Sequence, residues 1–209
     1  MKKIFLLIVP ILFFAGCELN KKTTLPEKQI TLEKQTQEDI TLSKFFMNDN
    51  STAQFKGEGN EFTSYTLKTR FLFDDYIATY EDNGGTVIEK IYRIFDDHIG
   101  IIARNAEVYE PKIRTLEELK AMPELEIYLG TPLKVGNEFE GWKVISTSEI
   151  VKSNSNFFED VIVIEKKDGQ NTIERKYFAK DFGEIKREFT MTTNGKQSVA
   201  SSTFEKIIN

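Results

Sequence analysis

A chain of 209 residues, 40% hydrophobic and 12% aromatic, holds enough apolar material for the core of one ordinary domain and too little for two. Charged residues make up 29%, a globular composition that excludes a wholly disordered or fibrous protein. The net charge is −5 and becomes two units more negative without Lys2 and Lys3, so no basic field exists to attract a phosphate backbone, which argues against nucleic acid as a partner.

The first element is a targeting segment. Met1-Lys2-Lys3 precedes an apolar run over residues 4–15, the size of a signal-peptide core and short of the about 20 residues that a membrane-spanning helix needs. Pro10 within the run further disfavours a permanent membrane helix. The run ends in Phe14-Ala15-Gly16-Cys17, and Cys17 is the only cysteine. This tetrapeptide resembles the lipobox of bacterial lipoproteins, in which two small residues precede a cysteine that receives a diacylglyceryl group before the signal is removed. Phe14 stands where leucine is usual. The resemblance implies a signal peptide at residues 1–16, lipidation of Cys17 with palmitate-like chains, and a domain held on the extracytoplasmic face of the cell membrane. The alternatives are an ordinary signal peptide or an unmodified thiol in a secreted protein. A lone cysteine forms no internal disulfide, and once acylated it leaves no thiol, so no redox chemistry is expected.

Residues 17–44 read as the lipidated cysteine and a flexible tether. They are Lys, Thr, Glu and Gln with isolated Leu and Ile, no aromatic residue and one proline, and they bury too little apolar area to offset the entropy of ordering. Thr41-Leu42-Ser43-Lys44-Phe45-Phe46-Met47 follows as a turn whose aromatics pack on the domain, which is taken to span residues 45–209. From there, runs rich in Val, Ile, Thr, Phe and Tyr are separated every eight to twelve residues by Gly, Asn, Asp or Pro. Strands are predicted at 53–57, 61–73, 76–81, 86–95, 98–109, 124–129, 141–151, 160–167, 172–179, 184–193 and 198–207. Asp74-Asp75, Asn83-Gly84-Gly85, Asp96-Asp97, Asp168-Gly169, Asp181-Phe182-Gly183 and Asn194-Gly195 lie between these runs and suit hairpin turns. Apolar residues on both alternations of 160–167 predict a strand covered on both faces at its centre. Only residues 115–122 look helical, with Thr115 as N-cap and Pro123 as the stop. The expected fold is all-β: an antiparallel meander forming a curved sheet or half-open barrel with one short helix.

Four segments, Gly57-Glu58-Gly59-Asn60-Glu61, Asn83-Gly84-Gly85-Thr86, Thr131-Pro132-Leu133-Lys134-Val135-Gly136 and Tyr177-Phe178-Ala179-Lys180-Asp181-Phe182-Gly183, resemble those of uncharacterised lipoproteins from low-GC Gram-positive bacteria. The similarity covers residues 45–209, with Trp142 following the Pro-Leu-Lys-Val-Gly segment as in that family. Phe178, Asp181 and Glu184-Ile185 stand where the family has tyrosine, glycine and Leu-Val. These are turn and strand patterns, so the resemblance implies location and fold and no activity.

Chemistry-bearing residues are sparse. His98 is the only histidine, which excludes multi-histidine zinc sites, and its place beside Asp96-Asp97 reads as an exposed turn. Asp74-Asp75 and Asp96-Asp97 lack the spacing of a calcium loop and read as turn formers. Glu58 and Glu61 near Trp142 are the carboxylates that a glycosidase reading would select. No nucleophile elbow, P-loop or dinucleotide fingerprint occurs, so the chain reads as a non-enzyme with no catalytic residues, no metal and no cofactor. With 17 Phe, 7 Tyr and one Trp, the aromatics either fill a β core or line an apolar cavity. The expected role is a surface-anchored β domain that binds an envelope component, either an apolar or lipid ligand in the concave face or a protein along an edge. An accessory lipoprotein without a small-molecule site is the alternative, and an envelope hydrolase ranks last. The ligand-binding residues are not legible.

Overall fold

The computed structural model describes residues 41–154 and 156–208; the signal segment, Cys17 and most of the tether lie outside the described residues. Among the described residues, alternating β-branched and aromatic residues between short turns produce twelve strands. They are β1 (Thr52–Glu58), β2 (Tyr65–Phe73), β3 (Tyr76–Asp82), β4 (Val87–Ile94), β5 (His98–Asn105), β6 (Glu126–Gly130), β7 (Glu138–Phe139), β8 (Trp142–Ser153), β9 (Asn156–Asp168), β10 (Thr172–Ala179), β11 (Gly183–Thr193) and β12 (Lys196–Ile207).

All lie in one antiparallel sheet ordered β6-β5-β4-β3-β2-β1-β12-β11-β10-β9-β8-β7. Every neighbour is therefore a sequence neighbour except one pair: the first strand pairs with the last, from Ala53 opposite Ile207 to Glu58 opposite Ser201. That pairing turns two six-strand meanders into an up-and-down barrel open only between β6 and β7. Side chains cover the opening. The Ile127 N–H donates to the Glu140 carboxylate at 2.8 Å, and Phe139 lies so close to Gly130 that a Cβ there would come within 2.9 Å of its ring. The all-β half-open barrel expected from the sequence is the fold.

Several boundaries differ from the prediction. β2 starts at Tyr65 because Asn60 accepts from the Phe62 N–H at 2.9 Å and holds residues 61–63 in a 3₁₀ turn. β5 stops at Asn105, four residues early, since Glu107 takes φ 60° and the chain leaves the ladder. The two-residue β7 is too short to give a periodic signal. The helix, α1 (Leu116–Lys120), is capped by Thr115: its hydroxyl accepts from the Glu118 N–H at 3.2 Å, and the Glu118 carboxylate accepts from the Thr115 N–H at 2.7 Å. As expected, β9 is buried on both faces at its centre, over Val161, Ile162, Val163 and Ile164.

Ile77 of β3, Tyr92 of β4, Ile99 of β5, Tyr128 of β6, Trp142 of β8, Ile164 of β9 and Phe178 of β10 share one buried cluster. Strands distant in the sheet meet there, so the sheet curls around that cluster. β3 alternates between this interior, through Ile77, Thr79 and Glu81, and a second layer on its outer face, where Tyr76, Ala78 and Tyr80 pack with Ile91, Ile102 and Leu119 of α1.

Candidate functional site

The concave interior, the place where sequence reasoning puts an apolar ligand, is filled by the chain itself. Leu42–Phe45 forms a 3₁₀ turn, and Leu42, Phe45, Phe46 and Met47 are all buried. Phe46 packs edge-on to Tyr92 at 5.0 Å, and Phe45 lies 6.5 Å from Phe178. The Asp181 N–H donates to the Lys44 carbonyl at 2.6 Å. Gly183, at φ +75°, is required beneath this segment, because a Cβ there would sit 2.5 Å from the Phe45 carbonyl oxygen.

Beside these aromatics is an ionic network. Arg187 reaches both Glu81 oxygens at 3.1 and 3.0 Å and Glu184 at 2.6 Å, while Tyr128 donates to Glu184 at 3.0 Å. Burial would raise the Glu184 carboxyl, but the charges of Arg187, Lys176 and Lys90 outweigh it and bring it down to about 2. Burial pushes up the hydroxyls of Tyr92 and Tyr128, which stay neutral. The space left between Phe46, Tyr92 and Arg187 is about 20 Å³, the volume of one water rather than of a ligand.

The residues singled out from sequence fall in separate places. Trp142 is buried, with the Lys176 ammonium 4.4 Å and the Lys166 ammonium 5.7 Å from its ring centroid. Glu58 and Glu61 are exposed, and Glu58 is paired with Lys56 at 3.8 Å. The aromatic ring is thus faced by two cations, Lys176 and Lys166.

His98 is not the exposed turn residue expected. It opens β5, its Nδ1 lies 2.7 Å from Asp97 and its Nε2 3.1 Å from Glu124, and its ring stacks on Phe95 at 4.4 Å. Glu124 is invisible as a partner in the sequence because the β5–β6 excursion brings it back from 26 residues away. Asp74-Asp75 and Asp96-Asp97 lie in the β2–β3 and β4–β5 turns. Among the described residues, no group of three His, Cys, Asp or Glu side chains is disposed to hold a metal.

The roomy space is outside the barrel. Residues 106–115, which lead from β5 to α1, arch over the outer face of β2–β4 and enclose a groove of about 960 Å³. Both ends of the arch are pinned. The Val108 N–H donates to the Val87 carbonyl at 3.0 Å and the Glu107 N–H to the Thr86 hydroxyl at 3.2 Å. Arg114 grips the fully buried Glu89 through two bonds, at 2.9 and 2.7 Å, and Asn105 adds a third at 2.9 Å. Burial would raise the Glu89 carboxyl, but these donors and Tyr80 outweigh it and lower it. Between the pins the arch stands off the sheet, leaving Tyr109 67% and Ile113 94% exposed. The floor is made by Thr66, Lys68, Arg70 and Leu72 of β2 with Tyr80 of β3 and Val87 of β4.

Sequence reasoning extended β5 through Tyr109 and so missed the arch. The available signals were Pro111 and the apolar Tyr109 and Ile113 among Glu110, Lys112 and Arg114, a stretch with no two-residue period.

No protein-family model and no curated protein matches the chain. Among solved structures, it is similar to a candidate exported protein of Bacteroides fragilis described as having a YmcC-like fold. The two share 11% identity and a TM-score of 0.48, over 79% of this chain and 98% of that one.

Proposed function

We propose that the protein is a non-catalytic lipoprotein, anchored through lipid on Cys17 to the outer face of a bacterial cell membrane and related to the lipoproteins of low-GC Gram-positive bacteria that its segments resemble. Its β domain binds an apolar envelope component in the groove beneath residues 106–115. The groove carries this reading: about 960 Å³ with exposed aliphatic and aromatic walls is the scale of a ligand site, whereas the interior keeps about 20 Å³. Exposed apolar side chains clustered along one concavity are also how soluble domains present binding surfaces. The edge-pairing alternative finds less support, since Glu140 and Phe139 already occupy the free edge of β6.

The anchor and the groove are tested separately. Cys17→Ala should move the protein out of the membrane fraction and abolish metabolic labelling with palmitate; unchanged labelling would refute the anchor. Native mass spectrometry of the full mature chain with dodecyl maltoside should retain one alkyl-chain adduct that Ile113→Asp removes. An adduct indifferent to that change would place binding elsewhere.

A further inference from the structure

The groove has a charge sign opposite to that of the chain. The protein carries 33 acidic and 28 basic side chains, yet the groove walls hold Lys68, Arg70, Lys112 and Arg114 against the single acid Asp82. Two of these cations are already engaged. Arg114 is spent on Glu89 at 2.7 Å, and Lys112 reaches Glu118 at 3.4 Å. The other two are available to a ligand: Arg70 has its nearest carboxylate, Asp49, at the outer limit of 4.0 Å, and Lys68 makes no ion pair among the described residues.

Lys68 and Arg70 alternate on β2, so they leave the same outer face about 7 Å apart. Lys68 lies opposite Tyr80 in the ladder, and Leu72 continues the same face. The floor therefore runs from a pair of cations to an apolar patch, under the overhanging Ile113. That sequence of surfaces is complementary to one molecule with a negative head and a hydrocarbon body.

Resting on the reading of the groove as a binding site, we infer that its ligand is a single-chain anionic amphiphile. Its carboxylate or phosphate head sits at Lys68 and Arg70, and its chain lies between Leu72 and Ile113. Arg70 suits either head because a guanidinium fork binds both oxyanions in two-point geometry. Partial exposure of the pair makes the attraction sensitive to salt.

The test is titration of the full mature chain, below micelle-forming concentrations, with dodecanoate, dodecyl phosphate and dodecyl maltoside, at low and high salt. One or both anions should bind at least about tenfold more tightly than the maltoside at low salt, with the margin shrinking at high salt. The stronger anion identifies the head as a carboxylate or a phosphate. Lys68→Ala with Arg70→Ala should bring anion binding down to the level of the maltoside. Equal affinity for charged and neutral chains would overturn the anionic ligand while leaving the groove as an apolar site. Failure of all three to bind would overturn both.

Discussion

At His98 the two neighbouring carboxylates change what a lone histidine does. Partial burial alone would lower its pKa, but the bonds to Asp97 and Glu124 and their charges outweigh that and raise it above the ordinary 6.5. A group whose folded pKa is raised stabilises the fold fully below the unfolded value and loses that contribution as pH rises through the folded one. The melting temperature, compared with that of His98→Gln, should therefore fall between about pH 6.5 and the raised folded value. An imidazole titration followed by NMR checks this directly: a midpoint at or below 6.5 would refute it. Joining Asp97 to Glu124, the ring ties the β4–β5 turn to the start of β6, so its role in the fold is that of a clamp.

On the scale of elements, the second end of the arch formed by residues 106–115 is held by one buried ion pair. Glu89 is fully buried, and Arg114 is its cationic partner. Removing the guanidinium leaves an uncompensated buried carboxylate, a loss of roughly 3–5 kcal/mol in comparable cases. Arg114→Ala should lower stability to urea by that order, and hydrogen exchange should rise first at residues 106–115. Arg114→Lys should recover only part of the loss, because an ammonium lacks the planar fork that meets both carboxylate oxygens in parallel. A change under about 0.5 kcal/mol for the alanine variant would mean that the arch is held by its backbone bonds alone. The same pair connects the groove to the fold, since the arch that Arg114 pins is also the roof of the proposed ligand site.

For the whole molecule, the decisive feature is that the N-terminal lead-in of the domain inserts into its core. Phe46 meets Tyr92 of β4 and Tyr128 of β6, and Phe45 meets Phe178 of β10, so the segment joins strands from both meanders. Deleting a buried aromatic of this kind costs about 3–5 kcal/mol through lost transfer energy and an unfilled cavity. Phe46→Ala should shift the urea midpoint accordingly, while Phe62→Ala, at an exposed position, should change stability by about 0.5 kcal/mol or less. Similar losses at both sites would contradict the filled interior. The β1–β12 pairing joins the two ends of the domain, the non-local contact that closes the barrel around this plug.

Local chemistry by itself determined the class and most of the elements. Turns such as Asn194-Gly195, with both residues at positive φ, select a hairpin whatever surrounds them, and Thr115 with Glu118 starts a helix through bonds three residues apart. These interactions close over short stretches of chain, so they leave a pattern that can be read residue by residue. Only the tertiary structure decided that β1 meets β12, that Phe45 and Phe46 take the space a ligand would need, that Glu124 faces His98, and that residues 106–115 arch over a groove. Each of these depends on which distant surfaces meet once apolar area is buried, and side-chain periodicity reports which face is apolar but not what covers it.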